Sequence, residues 1–401
     1  MLYASDKIEL CFILLIILLG PSFFLPTFSY ILAQENENNN KQLIGVAMKG
    51  VFTRTSLAKD LNQEPSSNYF EESFKLLSQG GFNHARFLFY WESYVKNPEQ
   101  FMNELDAVAK AADKWNISVI YDNHQWHTSS YLERIATGFP SFLFEHDDDI
   151  KHFDGGNTNS DSAKKWWTKW WDRDVVDSDG KDGWQLQADF LRKIVERMDN
   201  HTSTLGYEIL SEPHVYSSNQ WEKIGTFNSY MTDYLRNYTN KTLVYSMNIP
   251  VDLDSDLNLT PENLAKMAPK DKNDVVFKIS VYGHPERDDY QKERFNLFLD
   301  TSQLAKVPLY IGEWNDVVRT KDGGVYKINP SKSDISQTDV NKFLNTFKDA
   351  GIWGTAYWKW DYNDDDIPNF NLISATENGI KQTKYFDQLK EAIEELYPQD
   401  Q

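Results

Sequence analysis

The chain has 401 residues, of which 40% are hydrophobic and 25% are charged. This length and composition are sufficient for a large buried core, and they exclude a chain that is mainly disordered. Sixty acidic residues against 41 basic residues give a formal net charge of −19. Because this charge would repel a phosphate backbone, we expect no nucleic-acid partner.

The first 33 residues have the pattern of a targeting segment. Lys7 precedes ten consecutive apolar residues, 10–19, and Pro21 and Pro26 interrupt the apolar stretch that follows. The run is short for a membrane span. We predict that 1–33 is an export signal whose cleavage leaves an extracellular protein. An uncleaved membrane anchor is the alternative, and it would be the chain's contact with a membrane.

Cysteine usage limits the chemistry of the mature chain. Cys11 is the only cysteine and lies inside the targeting segment, which a polar linker, 34–42, follows. A mature chain without a thiol has no disulfide, no cysteine nucleophile and no thiolate metal site. The histidines show neither His-x-x-x-His nor His-Glu-x-x-His spacing, so we expect no metal ion or other cofactor.

From residue 43 onward, short apolar runs alternate with amphipathic stretches. Eight runs are typical of β-strands, namely 43–50, 83–91, 117–124, 204–210, 242–248, 274–283, 307–314 and 352–360. Helical periodicity is found at 98–115, 184–198, 221–235, 338–351 and 382–397. Alternating strands and helices favour a parallel sheet. Eight such units predict an α/β fold of the (β/α)8 TIM-barrel class over 43–401. No glycine-rich loop follows the first predicted strand, which disfavours a dinucleotide-binding fold.

One connection is much longer than the few residues that are usual between elements. Residues 125–182, after the third predicted strand, form an insertion that is rich in tryptophan, with Trp126, Trp166, Trp167, Trp170 and Trp171. We expect most of these indoles to pack the insertion onto the barrel and one or two to face the cleft. The acidic segment 177–183 does not complete a calcium-binding loop, so a solvated turn is favoured.

Two glutamates come at the ends of predicted strands. Glu212 follows the fourth run and Glu313 ends the seventh. Strands four and seven of an eight-stranded barrel lie across its mouth from one another, so the two carboxylates are expected to converge. Two carboxylates at about 5–5.5 Å are the apparatus of a retaining glycosidase. Arg86, in the second run, could keep the nucleophile ionised; a salt bridge within a loop is the alternative for either glutamate.

At these residues the sequence resembles glycoside hydrolase family 5, the cellulase family of the clan A retaining glycosidases, over about 43–397. Glu212 and Pro213 match the end of the family's Asn-Glu-Pro motif, and the Gly-Glu-Trp segment around Glu313 matches its nucleophile motif. The resemblance implies that Glu212 is the acid/base, that Glu313 is the nucleophile and that Arg86 contacts Glu313.

The resemblance also implies a set of sugar-binding side chains. His124 ends the Asp-x-His motif of strand three, and Tyr282 ends the His-x-Tyr motif of strand six. The tryptophan platform of strand eight corresponds best to Trp358, with Trp360 as the other candidate. Trp126 is a candidate for sugar stacking in the insertion.

Two positions depart from the family pattern. Ser211 stands where the family has an Asn that holds the sugar 2-hydroxyl, and Ser280 stands where it has a His. His284 could fold back to replace that His. Because Glu212 and Glu313 are intact, we interpret the chain as a divergent active member.

The resulting hypothesis is a secreted retaining β-glycanase, an endo-β-1,4-glucanase of cellulase type. Its expected partner is a polysaccharide or oligosaccharide substrate, and we expect a monomer. An endo-β-1,4-mannanase, a transglycosylase with the same carboxylates, and a non-catalytic carbohydrate-binding protein remain as alternatives.

Overall fold

The structure is a computed structural model. It describes residues 42–50, 52–53, 68–153, 159–248, 256–322, 325–328, 335–361, 370–376 and 379–398. The predicted export signal and all of the linker except Gln42 therefore lie outside the described residues. Within the described ranges, no helix has both the length and the apolar character needed to cross a membrane.

Eight parallel strands close into a barrel. They are β1 (Leu43–Lys49), β2 (His84–Phe89), β3 (Ser118–Asn123), β4 (Thr204–Glu208), β5 (Thr242–Ser246), β6 (Val275–Tyr282), β7 (Leu309–Asn315) and β10 (Gly354–Tyr357), and β10 pairs with β1 to close the ring. Two antiparallel hairpins are formed by β8 (Arg319–Asp322) with β9 (Val325–Ile328), and by β11 (Ile373–Thr376) with β12 (Gly379–Gln382). The predicted (β/α)8 TIM barrel is confirmed, and each predicted strand overlaps one barrel strand, with β7 extending one residue beyond its predicted end.

Helices accompany the strands. They are α1 (Tyr69–Gln79), α2 (Trp91–Lys96), α3 (Pro98–Trp115), α4 (Asp161–Asp172), α5 (Gly183–Met198), α6 (Trp221–Leu235), α7 (Pro261–Leu264), α8 (Asp289–Ala305), α9 (Gln337–Asp349) and α10 (Lys384–Leu396). The α3 helix shows how the sequence sets such bounds, since Pro98 occupies its first position and Asn116 ends it with φ of 53°. Its apolar residues recur every three or four positions and are buried.

The barrel interior has an apolar layer near its amino-terminal end. This layer consists of Ile120, Val244, Val276, Tyr310 and Ala356, one from each of five strands. Side chains two residues apart on a strand point to the same face. Asp122 and Lys278 therefore lie one layer above Ile120 and Val276, toward the carboxyl ends of the strands. The interior changes from apolar to charged at this level, and the charged layer forms the floor of the mouth.

The segment between β3 and α5 packs onto the barrel through α4. The four tryptophans of α4 are each at most 2% exposed. The Trp167 indole N–H donates to the Thr128 hydroxyl at 2.8 Å, and the Trp171 indole N–H donates to the His214 carbonyl at 2.8 Å. The second contact ties α4 to the loop that follows β4. Trp126 differs from these four, because its side chain is 43% exposed.

Replacement of Trp166 by Ala should lower the free energy of unfolding by about 3–5 kcal/mol, because it opens a cavity in a fully buried site. The matched change Trp126→Ala, at an exposed indole, should cost less than about 1 kcal/mol. Urea unfolding followed by circular dichroism measures both values. Equal losses for the two variants would contradict the packing described for α4.

Candidate active site

Glu212 and Glu313 approach one another at the mouth of the barrel. Glu313 lies on β7, and Glu212 lies four residues beyond the end of β4. An Oε1 atom of each carboxylate is 3.4 Å from Nζ of Lys278. The two Oε1 atoms are therefore at most twice 3.4 Å apart. Both lie at the carboxyl-terminal mouth of the barrel, where substrates of this fold bind.

The carboxylate of Glu313 is enclosed by donors. Nη1 of Arg86 donates to Oε1 at 2.9 Å, and the Tyr282 hydroxyl donates to Oε2. Burial alone would raise the pKa of Glu313, but the positive charges of Lys278 and Arg86 outweigh it and, with the Tyr282 hydrogen bond, lower the pKa to about 2. Glu313 is therefore ionised at neutral pH, as a carboxylate nucleophile must be.

Glu212 has a different environment. Its side chain is 28% exposed, against 5% for Glu313, so it is the more accessible of the two carboxylates to water or substrate. The Ser280 hydroxyl donates to its Oε1. Its backbone has φ of 46° and is held by two side chains, since its N–H donates to Ser246 Oγ at 3.1 Å and its carbonyl accepts from Gln125 Nε2 at 2.7 Å. These contacts fix the direction of the Glu212 side chain.

Arg86 connects the layer of buried charges. Its Nε donates to Glu208 Oε2 at 2.8 Å, and its Nη2 lies 2.8 Å from Asp122 Oδ2 and 2.9 Å from Ser211 Oγ. Together with the bond to Glu313, one guanidinium contacts carboxylates from three other strands. Burial raises the pKa of both Asp122 and Glu208, in each case against the lowering effect of Arg86.

His124 and Trp358 form one wall of the site. His124 Nδ1 lies 2.8 Å from Asp122 Oδ2, and its ring stacks on that of Trp358 with centroids 6.1 Å apart. Burial lowers the pKa of His124 to about 3, so the imidazole is neutral at neutral pH. A neutral ring that donates from Nδ1 to Asp122 has Nε2 as a hydrogen-bond acceptor.

The remaining predicted residues lie in different environments, some in the core and some at the site. Trp360 is fully buried and its indole N–H donates to Ser73 Oγ at 3.1 Å, so it belongs to the core, and Trp358 is the strand-eight tryptophan that lies at the site. Trp126 is exposed and stacks on the His127 ring at 3.9 Å. Ser211 is fully buried, and its hydroxyl accepts from Arg86.

His284 lies apart from the glutamates. Its Nδ1 accepts from the Glu286 backbone N–H at 3.0 Å, and its ring packs against Phe343 at 4.7 Å. Among the described residues, its hydrogen bonds and ring contacts include neither Glu212 nor Glu313. The position that His284 was expected to fill is taken by the Ser280 hydroxyl, because Ser280 pairs with Glu313 in the β6–β7 register and points into the mouth.

Sequence reasoning missed Lys278 and Glu208, which are both fully buried. A signal was present in the sequence, because each is a charged residue inside an apolar strand run. Fully buried Lys and Glu side chains are rare unless they are paired.

Within the part of the chain that the structure describes, no three His, Cys, Asp or Glu side chains are arranged to hold a metal ion.

Removal of the Arg86 charge should destabilise the fold, because it leaves three buried carboxylates without their shared partner. We expect Arg86→Met to lower the free energy of unfolding by about 3–5 kcal/mol. The control Arg197→Met breaks an exposed pair with Asp106 and should change stability little. If thermal and urea unfolding found the two variants equally stable, Arg86 would not have the central role described.

The chain was compared with known proteins. Among solved structures, it is similar to an endogalactoceramidase, with 16% identity, a TM-score of 0.64 and coverage of 88% of this chain and 80% of that one. It is also similar to endo-glycoceramidase II from Rhodococcus sp., with 16% identity, a TM-score of 0.61 and coverage of 87% and 78%. XacCel5A is 13% identical, with a TM-score of 0.56 and coverage of 88% and 99%. No curated protein matches the chain.

At these identities the structural likenesses establish the fold alone. The family comparison goes further, because the model of the cellulase family, glycosyl hydrolase family 5, matches residues 58–364. That match spans most of the barrel, including both Glu212 and Glu313. The chain therefore belongs to glycosyl hydrolase family 5 and is a hydrolase of glycosidic bonds.

Proposed function

We propose that the chain is a retaining β-glycanase in which Glu313 is the nucleophile and Glu212 is the acid/base. The observation that supports this most is the shared distance of 3.4 Å from Lys278 Nζ to a carboxylate oxygen of each glutamate. Retaining enzymes hold their two carboxyl groups about 5–5.5 Å apart, whereas inverting enzymes leave about 6.5–9.5 Å for a water. An upper bound of twice 3.4 Å reaches only the shortest inverting separations and excludes the rest of that range, so it favours the retaining arrangement.

The proposed reaction has two steps. In the first, Glu313 attacks the anomeric carbon while Glu212 protonates the departing glycosidic oxygen, which gives a glycosyl ester of Glu313. In the second, Glu212 takes a proton from water, the water oxygen bonds to the anomeric carbon, and Glu313 leaves as a carboxylate. Arg86 and Tyr282 stabilise that carboxylate through the hydrogen bonds described above.

Variants of the two glutamates test the proposed roles. Glu313→Ala should abolish turnover of every substrate, because it removes the carboxylate proposed to form the ester. Glu212→Ala should slow substrates with poor leaving groups most and activated aryl glycosides least, since the latter need little protonation. Added azide should partly restore turnover by the Glu212 variant and yield a glycosyl azide.

Initial rates on a series of aryl β-glycosides with graded leaving groups measure this difference. If both variants lost activity equally with every leaving group, the roles would be wrong or interchanged. If the unmodified chain turned over none of the glycosides, the carbohydrate-binding alternative would be favoured over catalysis.

For the substrate, we propose a β-1,4-glucan cleaved in endo mode. The family description supports a cellulase-type substrate. His124 and Trp358 offer a hydrogen-bond acceptor beside an aromatic face, which suits a pyranose ring. Trp126 adds an exposed indole that could stack on a further sugar. An endo-β-1,4-mannanase and a transglycosylase would use the same carboxylates and remain the alternatives.

The names of the similar structures add a second substrate class. One of them is an endo-glycoceramidase II in complex with the ganglioside GM3. We therefore include a ganglioside beside the polysaccharides when substrates are compared.

Reducing-end release from carboxymethyl cellulose, β-1,3/1,4-glucan, glucomannan, galactomannan and xylan, together with sugar release from a ganglioside, tests this choice. We expect the two β-glucans to be cleaved fastest, with a rapid fall in viscosity that indicates endo cleavage. Fastest cleavage of galactomannan or of the ganglioside would contradict the glucanase proposal while leaving the retaining mechanism intact. Products longer than the substrate would indicate transglycosylation.

We also propose that the mature protein acts outside the cell, since polysaccharides are extracellular substrates and the first 33 residues have the pattern of an export signal.

A further inference from the structure

Lys278 is a fully buried cation at the centre of the site. It lies on β6, and its Nζ is 3.4 Å from Ser211 Oγ, from Glu212 Oε1 and from Glu313 Oε1. Burial and Arg86 lower the pKa of Lys278, but the surrounding glutamates raise it more, so the net pKa lies above its ordinary value. The ammonium group is therefore charged across the neutral range.

The neighbouring strand leaves room for this side chain. A Cβ atom at Gly312, on β7, would lie 2.6 Å from Cε of Lys278 and 2.7 Å from its Cγ. Such contacts are too short for any side chain at 312. The absence of a side chain at this position therefore lets the Lys278 stem cross the barrel interior and bring Nζ between the two glutamates.

Lys278 differs from Arg86 in the groups that it contacts. Arg86 contacts Asp122, Glu208 and Glu313, so one positive charge faces three buried carboxylates. Among the described residues, Lys278 is the cation that pairs with Glu212. Lys278 also lowers the pKa of Asp122, Glu208 and Glu313, so part of its role is to offset buried negative charge. Its contact with Glu212 is additional, and a cation at the same distance from Glu212 and Glu313 is placed to act on both carboxylates during the reaction.

We propose that Lys278 is a positioning residue for the second step of the reaction. In that step its positive charge stabilises first the carboxylate of Glu212 and then the carboxylate of Glu313. This inference rests on the function proposed above. Before the first step, the ammonium faces the negative charge of Glu313. Once Glu313 is an ester it has no charge, so the ammonium then faces the carboxylate of Glu212 alone, 3.4 Å away, which is the group that accepts a proton from water.

The second step balances as follows. The water oxygen forms a bond to the anomeric carbon, and the water proton moves to Glu212. The bond between the anomeric carbon and the Glu313 oxygen breaks, and its electron pair stays on Glu313. Lys278 stabilises the ionised base at the start of this step and the departing carboxylate at its end. With an activated aryl glycoside the leaving group needs little protonation, so little charge develops on Glu212 in the first step. In that step Lys278 mainly stabilises the reactant carboxylate of Glu313, which does not accelerate attack.

Replacement of Lys278 by Met should therefore slow the second step more than the first. On an activated aryl β-glycoside we expect kcat to fall about tenfold or more and KM to fall with it, so that kcat/KM changes much less. Rapid-quench measurements should show a burst of aryl alcohol, and intact-protein mass spectrometry during turnover should show the mass of one added glycosyl unit.

Two further variants complete the experiment. Lys278→Gln keeps an N–H donor without the charge, on a side chain one bond shorter, so it should accumulate the same glycosyl-enzyme. Lys110→Met removes a charge from the exposed face of α3 and should match the unmodified chain in burst and steady state.

Equal losses in kcat and kcat/KM, with no accumulated glycosyl-enzyme, would overturn the inference. So would recovery of normal kinetics in the Gln variant, or loss of folding in both the Met and Gln variants, since Lys278 would then act through hydrogen bonding or as a structural counter-ion. Absence of any turnover by the unmodified chain would instead contradict the proposed function.

Discussion

The guanidinium of Arg86 contacts carboxylates that three other strands bring into the barrel, and the rest of the site depends on this contact. Glu208, Asp122 and Glu313 lie within 2.9 Å of its nitrogen atoms. Burying a carboxylate without a partner costs several kcal/mol. The three acids can share the interior because one cation has donors for all of them, and its fixed fork then sets where each carboxylate lies.

The structure supports this charged layer from below and from the side. Below it, the apolar layer from β3, β5, β6, β7 and β10 closes the barrel and excludes water. On one side, the tryptophans of α4 are buried, and the Trp171 indole holds the loop that carries Glu212. Glu313 is thus held within a strand, while Glu212 is held on a loop with more access to solvent. This difference suits the roles proposed for them, with Glu313 as nucleophile and Glu212 as acid/base.

Much of the architecture was predictable from the sequence, because apolar strand runs bounded by polar residues are a local signal. The eight barrel strands and the positions of Glu212 and Glu313 at the barrel mouth follow from that signal. The α4 helix was not predicted, although its paired tryptophans recur at the four-residue spacing of one helix face. The α8 helix was also missed, and its buried residues are few, with Phe295 and Phe298 the large ones.

Details of the site required the spatial arrangement. The choice between Trp358 and Trp360 could not be made from spacing, because β10 ends at Tyr357 and strand alternation no longer applies beyond it. The part played by Lys278 depends on Ser211, Glu212 and Glu313, which come from two other strands and their loops. A neighbourhood of this kind has no signature along the chain.

The central claim is that a carboxylate of this chain forms and then releases a glycosyl ester with net retention. Proton NMR spectra recorded within the first minutes of cleavage of a β-linked substrate test it most directly, because they show the anomeric signal of the new reducing end before mutarotation. The account predicts that the β-anomer is formed first and that the α-anomer grows in later. Initial formation of the α-anomer would show inversion and would contradict the account.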